Sequence, residues 1–324
     1  MRILVTGGAG FIGSHICQKL CENRENTIIC LDNLSTGSMD NIQHLEGLSN
    51  FKFIKEDIEH PFHIADIDQI YNFASPASPI KCQENTISTI RTNVLGTLNV
   101  LKLAKKNNAI MFHASTSEVY GDPAVHPQSE DYLGNVNCFG PRSCYNEGKR
   151  SAEALCYDYI RNHNTHVRIG RIFNTYGPRM QVDDGRVVSN FVCQSIKGKR
   201  ITVHGDGSQT RSFCYIDDLV SGVIRLVNYD RYFLSPFNLG NPEEISILQL
   251  ANVVLDLTQS STSITYLNRP IDDPNRRCPD VDKIKKAIGW APTTNLIEGL
   301  KNTIRYFERI IDTDESSSLL HGVG

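Results

Sequence analysis

Long hydrophobic runs are missing from this chain. No stretch approaches the roughly 20 apolar residues that a membrane-spanning helix requires, so a membrane span is excluded at the level of sequence. A surplus of one charge is missing as well. The 33 Lys and Arg residues against 36 Asp and Glu leave a net charge of −3, which supplies no electrostatic footprint for nucleic acid or an anionic membrane. The first strand-like run, "RILVTG", begins at Arg2. That leaves no room for a signal or transit peptide, and a cytoplasmic enzyme is the default reading. No CxxC pair occurs among the ten cysteines, which lie at 17, 21, 30, 82, 138, 144, 156, 193, 214 and 278. Cys17 and Cys21 share a helix face with His15 nearby, but a metal site there lacks its remaining ligands. Scattered cysteines without a secretion signal read as reduced and largely structural, with no metal.

What is present is ordinary for a soluble protein: 40% hydrophobic and 21% charged residues over 324 positions. The first half alternates strand-like runs ("ILVTG", "TIICLDN", "FKFIKED", "QIYNFAS", "IMFHAST", "HVRIGRIFN") with helical patterns at 11–23, 83–107 and 145–163. Such alternation implies an α/β fold, a Rossmann-type doubly wound parallel sheet covered by helices on both faces. After about residue 175 the texture becomes polar and glycine-bearing, with a helix near 187–198, a strand "ITVHG" and later helices. We therefore expect a nucleotide-binding domain over 1–175, with 208–240 rejoining its sheet. A smaller mixed α/β substrate domain is expected from 176–207 and 241–312, followed by a disordered tail over 313–324.

"VTGGAGFIGSH" places Gly7, Gly10 and Gly13 between the first strand and the first helix. The glycines suit a tight turn, close approach to a pyrophosphate and close helix–sheet packing, with the phosphate charge at the helix N-terminus. Asp32 ends the second strand 19 residues after Gly13, where a carboxylate accepts from ribose hydroxyls and repels a 2′-phosphate, so NAD is favoured over NADP. Asp57 ends the third strand, in reach of adenine or serving as a helix cap. Tyr145 and Lys149 form Y-x-x-x-K and share one helix face. A lysine ammonium and a nicotinamide cation would lower the tyrosine pKa, letting the pair take a proton from a sugar hydroxyl. By spacing alone the pair also fits an exposed surface couple.

These motifs together resemble the extended short-chain dehydrogenase/reductase family acting on nucleotide sugars. The carriers are "TGGAGFIG", "NVLGT" at 93–97, "STSEVYG" at 115–121, Tyr145 with Lys149, and "RIFNTYGP" at 171–178. "ASPASP", "TSEVYGDPAVHPQSEDY", "GPRSCYNEGKR" and "DGRVVSNF" narrow the resemblance to the UDP-glucuronate decarboxylases, over residues 1 to about 310. In 4,6-dehydratases of the family the position before the glutamate is an acidic aspartate. Here it is Ser117, and 4-epimerases lack the glutamate that is Glu118 here. The resemblance implies NAD as cofactor, UDP-glucuronate as substrate and a homodimer through a helix bundle that includes the tyrosine-bearing helix. "ALCYDYI" at 154–160 is a candidate face for that contact, or else packs within the monomer.

The resemblance also implies roles. Thr116, Tyr145 and Lys149 would act at C4, with Ser117, Glu118 and Arg277 at the carboxylate, Arg276 being the register alternative to Arg277. Phe11, Ile12, Asn33, Ile58, Ala74 and Ser75 would join the glycines, Asp32 and Asp57 along the cofactor. Asn174, Arg186, Asn190, Val203 and Arg211 would hold the UDP-sugar, while Asn93 would orient backbone near the site. Two departures stand out. "IKCQENT" at 80–86 replaces an aromatic-rich segment near the sugar, and Asn146, read as a surface position, replaces a frequent aspartate. Rival readings are a 4,6-dehydratase, a 4-epimerase, an enzyme releasing the 4-keto pentose, and a non-catalytic NAD-binding scaffold or sensor.

Overall fold

The structure, a computed structural model, describes residues 1–231, 233–270 and 273–321, with side chains through 313. Its first half runs β1 (Arg2–Thr6), α1 (Phe11–Cys21), β2 (Thr27–Asp32), β3 (Phe51–Lys55), β4 (Gln69–Asn72), α2 (Pro79–Glu84), α3 (Thr86–Arg91), α4 (Thr97–Asn107), β5 (Ile110–Thr116), α5 (Ser143–His163) and β6 (Val167–Ile172). The second half continues β7 (Thr175–Tyr176), α6 (Val187–Ile196), β8 (Ile201–His204), β9 (Thr210–Ser212), β10 (Cys214–Tyr215), α7 (Ile216–Val227) and β11 (Phe237–Leu239). It closes with β12 (Glu244–Ser246), α8 (Ile247–Thr258), β13 (Ile264–Leu267), β14 (Arg276–Arg277), α9 (Asp282–Ile288) and α10 (Leu296–His321).

Seven parallel strands form the central sheet in the order β11-β6-β5-β4-β1-β2-β3. After β3 the chain returns to the other side of β1, so the strand order reverses between β1 and β4. In doubly wound sheets ligands bind at the carboxyl ends around such a reversal. Side-chain alternation sends successive residues to opposite faces. Leu4, Ile29, Leu31, Ile70 and Met111 pack with Val100, Leu101 and Ala104 of α4 and Cys156 and Ile160 of α5. Ile3, Val5, Ile28, Cys30, Tyr71 and Phe112 pack with α1 and α7 in a core that continues to Phe191, Leu250, Ile304 and Phe307. Both faces are covered, which is why these strands read as nearly continuous apolar runs.

The C-terminal part carries a three-stranded sheet β12-β9-β14 and two-stranded pairs β10-β7 and β13-β8. Of residues 208–240, α7 and β11 pack on or join the central sheet, whereas β9 pairs with β12 and β14. Helix 83–107 of the sequence reading is three helices with a π turn at Thr92–Gly96 between α3 and α4. Asn85, at φ −141°, leaves helical geometry and its side chain caps α3 through the Ser88 N–H, 3.1 Å away. At the other end, α10 continues through His321 across the start of the expected tail. Leu300, Ile304, Phe307 and Ile311 anchor it at helical spacing, each burial contributing roughly 1.5–3 kcal/mol. No Pro or Gly follows before Gly322, so nothing local stops the helix. Residues 322–324 lie outside the described residues.

Candidate active site

The carboxyl ends of β1, β2, β4 and β5 open into one trough. Gly7 leaves β1 at φ +69°, and a Cβ there would lie 2.6 Å from the Ala74 nitrogen. A Cβ on Gly13 would come within 2.1 Å of the Gly7 carbonyl oxygen. These two positions admit only glycine. The helix begins at Gly10 with no side-chain cap, so its first N–H groups face the cavity lined by Gly7, Gly10, Phe11, Ile12 and Gly13. Asp32 accepts hydrogen bonds from the Ala9 N–H (3.0 Å) and the Leu34 N–H (2.8 Å). Burial pushes its carboxyl upward while these bonds oppose the rise, and two oxygens retain capacity for further donors. Asn33 donates to Asp57 (2.9 Å), which also caps the Glu59 N–H (2.8 Å). Asp32, Asn33, Asp57, Ile58, Ala74 and Ser75 line the adjoining end of the trough. A cradle closed to any Cβ, an open helix N-terminus and a carboxylate with spare acceptors fit a dinucleotide with a free adenosine ribose.

At the far end stand the groups expected to act at C4. Thr116 ends β5, and its side chain hydrogen-bonds the buried Tyr145 hydroxyl. Burial pushes the Tyr145 phenol up to about 12, and the Thr116 bond pulls against it. Lys149, one turn further along α5, is buried, donates to the Ala114 carbonyl (2.8 Å) and sits 5.9 Å from the Tyr145 ring centroid. Burial lowers its pKa to about 8. The expected lowering of Tyr145 by its lysine is thus absent from the protein alone. Desolvation dominates both groups, and it destabilises phenolate and ammonium alike.

Glu118, on the 3₁₀ turn Ser117–Tyr120 that follows β5, forms ion pairs with Arg277 and with Arg142 (3.2 Å). Burial would raise its carboxyl, but the two guanidiniums outweigh burial and hold it below the usual range. Arg277 is 2% exposed, donates to the Gly121 carbonyl (2.8 Å), and leaves its buried Nε without a partner. Arg276 is exposed, so the register alternative points outward. Arg211 lies close behind, bound to Asp273 (2.8 Å) and to the Thr210 carbonyl (2.8 Å). Its field also acts on Glu118. Three guanidiniums against the Glu118 and Asp273 carboxylates leave a net positive end suited to an anionic substrate group.

The remaining expected residues separate. Asn174 and Arg186 line the same cavity as Thr116, Ser117 and Glu118. Arg186 pairs with Asp184 and stands 5.7 Å over the Phe11 ring, which puts it beside the glycine turn. Asn190 lies on the first turns of α6, outside the lining of that cavity. Val203 has its side chain wholly buried in the core, because strand alternation turns it inward, so the "TVHG" strand would meet a ligand there through its backbone. Asn93 on the π turn donates to the Thr89 carbonyl (2.8 Å), and a Cβ on Gly148 would meet its Cβ at 3.0 Å. Asn146, read as a surface position, is corrected: it is buried, and α3 and the π turn pack against α5. "IKCQENT" forms much of α2, capped by Ser78 through the Lys81 N–H (3.1 Å), and Lys81 lines the cavity. Cys17 and Cys21 are buried in α1, while His15 faces the Pro178 carbonyl (3.0 Å).

Sequence reasoning missed Arg142, although it stands three positions before Tyr145 inside a quoted motif. It also missed Arg179 and Gln181 on the cavity wall. Gln181 donates to the Thr36 carbonyl (2.8 Å), a contact between distant segments that no local pattern encodes.

Against known proteins, residues 4–303 match the family model described as GDP-mannose 4,6 dehydratase. The chain belongs to this family. Among family members, a UDP-glucuronic acid decarboxylase 6 of Arabidopsis thaliana is 52% identical over 93% of this chain and 87% of its own length. A UDP-glucuronic acid decarboxylase 1 of Xenopus tropicalis is 51% identical over 96% of this chain and 73% of its own. Among solved structures, a UDP-glucuronic acid 4-epimerase from Bacillus cereus, in complex with UDP-glucuronic acid and NAD, superposes with a TM-score of 0.86. It is 31% identical over 96% of this chain and 100% of that one. The dTDP-glucose 4,6-dehydratase DesIV of Streptomyces venezuelae, with NAD bound, gives 0.88 at 26% identity, covering 95% and 97%.

Proposed function

We propose that this member of the family is an NAD-dependent UDP-glucuronate decarboxylase that forms UDP-xylose. The observation that carries the reading is the site at the tip of β5. Glu118 is held as a carboxylate between Arg277 and Arg142, and the residue before it is Ser117 rather than an acid. A 4,6-dehydratase needs an acid to protonate a departing hydroxyl, and serine is a poor one. Loss of CO2 from a 4-keto uronate expels no hydroxide, so Ser117 suffices. The decarboxylase relatives at about half identity support the same choice.

In this reading the glycine turn, Asp32, Asp57 and their neighbours hold NAD, with Arg186 beside the pyrophosphate turn. Bound there, NAD would supply the hydride acceptor for oxidation at C4 and the hydride donor for its reduction. Tyr145, hydrogen-bonded to Thr116, takes the C4 hydroxyl proton, and Lys149 tunes that exchange. The C5 carboxylate becomes β to a ketone once C4 is oxidised, so C–C cleavage leaves electrons delocalised into the ketone as an enolate. Arg277, Arg142 and Arg211 supply positive charge at that end, and Glu118 with Ser117 manages the proton that returns to C5. Asn174, Asn190 and the backbone at Val203 remain the candidates for the UDP group.

A second copy of this chain belongs to the same reading. Ile87 and Ile90 on α3, Leu95 on the π turn and Tyr157 on α5 are exposed on elements packed against one another, and a homodimer would cover them; light scattering reads the mass directly. Among the described residues no helix is long and apolar enough to cross a membrane, and we place the enzyme in the cytoplasm, to be checked by fractionation. The activity is tested by incubating the purified protein with UDP-glucuronate and following products by mass spectrometry and proton NMR. UDP-xylose without added NADH is expected. A 4-keto pentose accumulating with NADH would replace the reading with intermediate release, and turnover of neutral UDP-hexoses alone would overturn it.

A further inference from the structure

Glu153 lies one helical turn beyond Lys149 on α5. Its Oε1 accepts from the Ser115 hydroxyl and from Arg171 Nε (3.0 Å), and its Oε2 accepts from Arg171 Nη2 (2.8 Å). Arg171 of β6 also donates to the Tyr120 hydroxyl and to the Glu130 carbonyl, both at 3.0 Å. Tyr120 in turn donates to Asn238 Oδ1 (2.7 Å) on β11. Ser115 immediately precedes Thr116. The tip of β5 is therefore fastened to α5 at two points two turns apart, by Thr116 with Tyr145 and by Ser115 with Glu153. We infer that Glu153 is a positioning residue for the Tyr145–Lys149 pair, fixing Thr116 through Ser115 and placing a negative charge beside the lysine ammonium.

The charges around Lys149 are few. Lys149 is faced by Tyr145, Glu153 and Cys156 from α5 and by His113 from β5. His113 is buried and held neutral, well below its ordinary pKa, by burial and by the lysine. Glu153 is the single carboxylate in that set, and it favours the ammonium. Its opposite partner is Arg171, whose own pKa is raised by the bond to Glu153 against its burial. A purely structural bridge would fasten the strand without affecting where Lys149 titrates.

The inference rests on Tyr145 and Lys149 acting at C4, and the test separates the two. In Glu153→Gln the acceptor for Ser115 is kept and the charge is lost. The alkaline limb of the kcat profile, where the ammonium is lost, is expected to move to lower pH, with kcat down about tenfold or more and KM unchanged. Ser115→Ala should lower kcat with the limb in place. Lys149 titration followed by NMR in the protein as purified reads the same charge effect without substrate. A wild type inactive on UDP-glucuronate then refutes the functional reading alone, and an unmoved Lys149 titration in Glu153→Gln refutes this inference alone. If Glu153→Gln fails to fold, Glu153→Asp, which keeps the charge and withdraws from Ser115, must lose kcat with the limb unmoved; a moved limb there overturns the inference.

Discussion

Replacing Glu118 by glutamine removes one negative charge from between two guanidiniums and leaves the side-chain shape intact. Arg277 is nearly inaccessible, and its remaining anchor is the Gly121 carbonyl at 2.8 Å. Stripping one partner from a buried pair costs about 3–5 kcal/mol. Glutamine keeps a neutral acceptor for Arg277, which brings the expected loss to about 2–3 kcal/mol. In a chain of this size that corresponds to a melting temperature lower by about 3–6 °C. Glu118 is held below the usual carboxylate range because Arg277 and Arg142 outweigh its burial. Its stabilisation is therefore complete above the ordinary glutamate pKa and is lost as pH falls through the depressed value. The deficit of Glu118→Gln must stay constant near neutrality and close on acidification. If Glu118 also manages the C5 proton, kcat falls by about 10²–10⁴-fold. Calorimetry across pH and initial rates of CO2 release measure both effects. A folded variant with more than a tenth of wild-type kcat would refute the catalytic part. A deficit that persists at low pH would refute the electrostatic part.

Gly13→Ala should abolish dinucleotide binding and lower stability, since the new Cβ would lie 2.1 Å from the Gly7 carbonyl and 2.8 Å from the Gly8 Cα; cofactor content after purification and a thermal melt read it. Lys149→Met should inactivate the enzyme and yet stabilise it by about 1–3 kcal/mol at neutral pH, because one pKa unit is worth about 1.4 kcal/mol and burial depresses this lysine to about 8. That gain is complete below the folded value, where the folded state must carry a buried charge, and vanishes as pH rises toward the ordinary lysine pKa. Melting curves at pH 7 and pH 10 check the sign, and a variant destabilised at pH 7 would show that the bond to Ala114 outweighs the buried charge.

The strands of the sheet and its glycine turn were legible because both are local. Strand alternation writes itself as apolar runs, and Gly7, Gly10 and Gly13 answer to a turn whose partners lie within a few residues, Ala74 excepted. The interior of α5 was less legible. Asn146 reads as a surface position because asparagine is polar, yet it is buried on α5, against which α3 and the π turn pack, and the break at Asn85 that redirects α3 carries no stronger signal than one asparagine. Val203 shows the converse: resemblance transfers a position, but only the fold says whether side chain or backbone faces outward. The cationic end of the site was least legible. Glu118, Arg142, Arg211 and Arg277 come from a strand tip, the start of a helix, β9 and β14, and their shared charge balance exists only once four separate segments are packed. A motif can nominate each member. It cannot state that the sum is positive, and that sum is what would select a uronic acid over a neutral sugar. Exchanging Arg142 for methionine should therefore weaken discrimination between UDP-glucuronate and UDP-glucose binding by roughly tenfold, about the worth of one charge-assisted hydrogen bond. An unchanged ratio in competition binding would mean that Arg277 and Arg211 carry the selection without it.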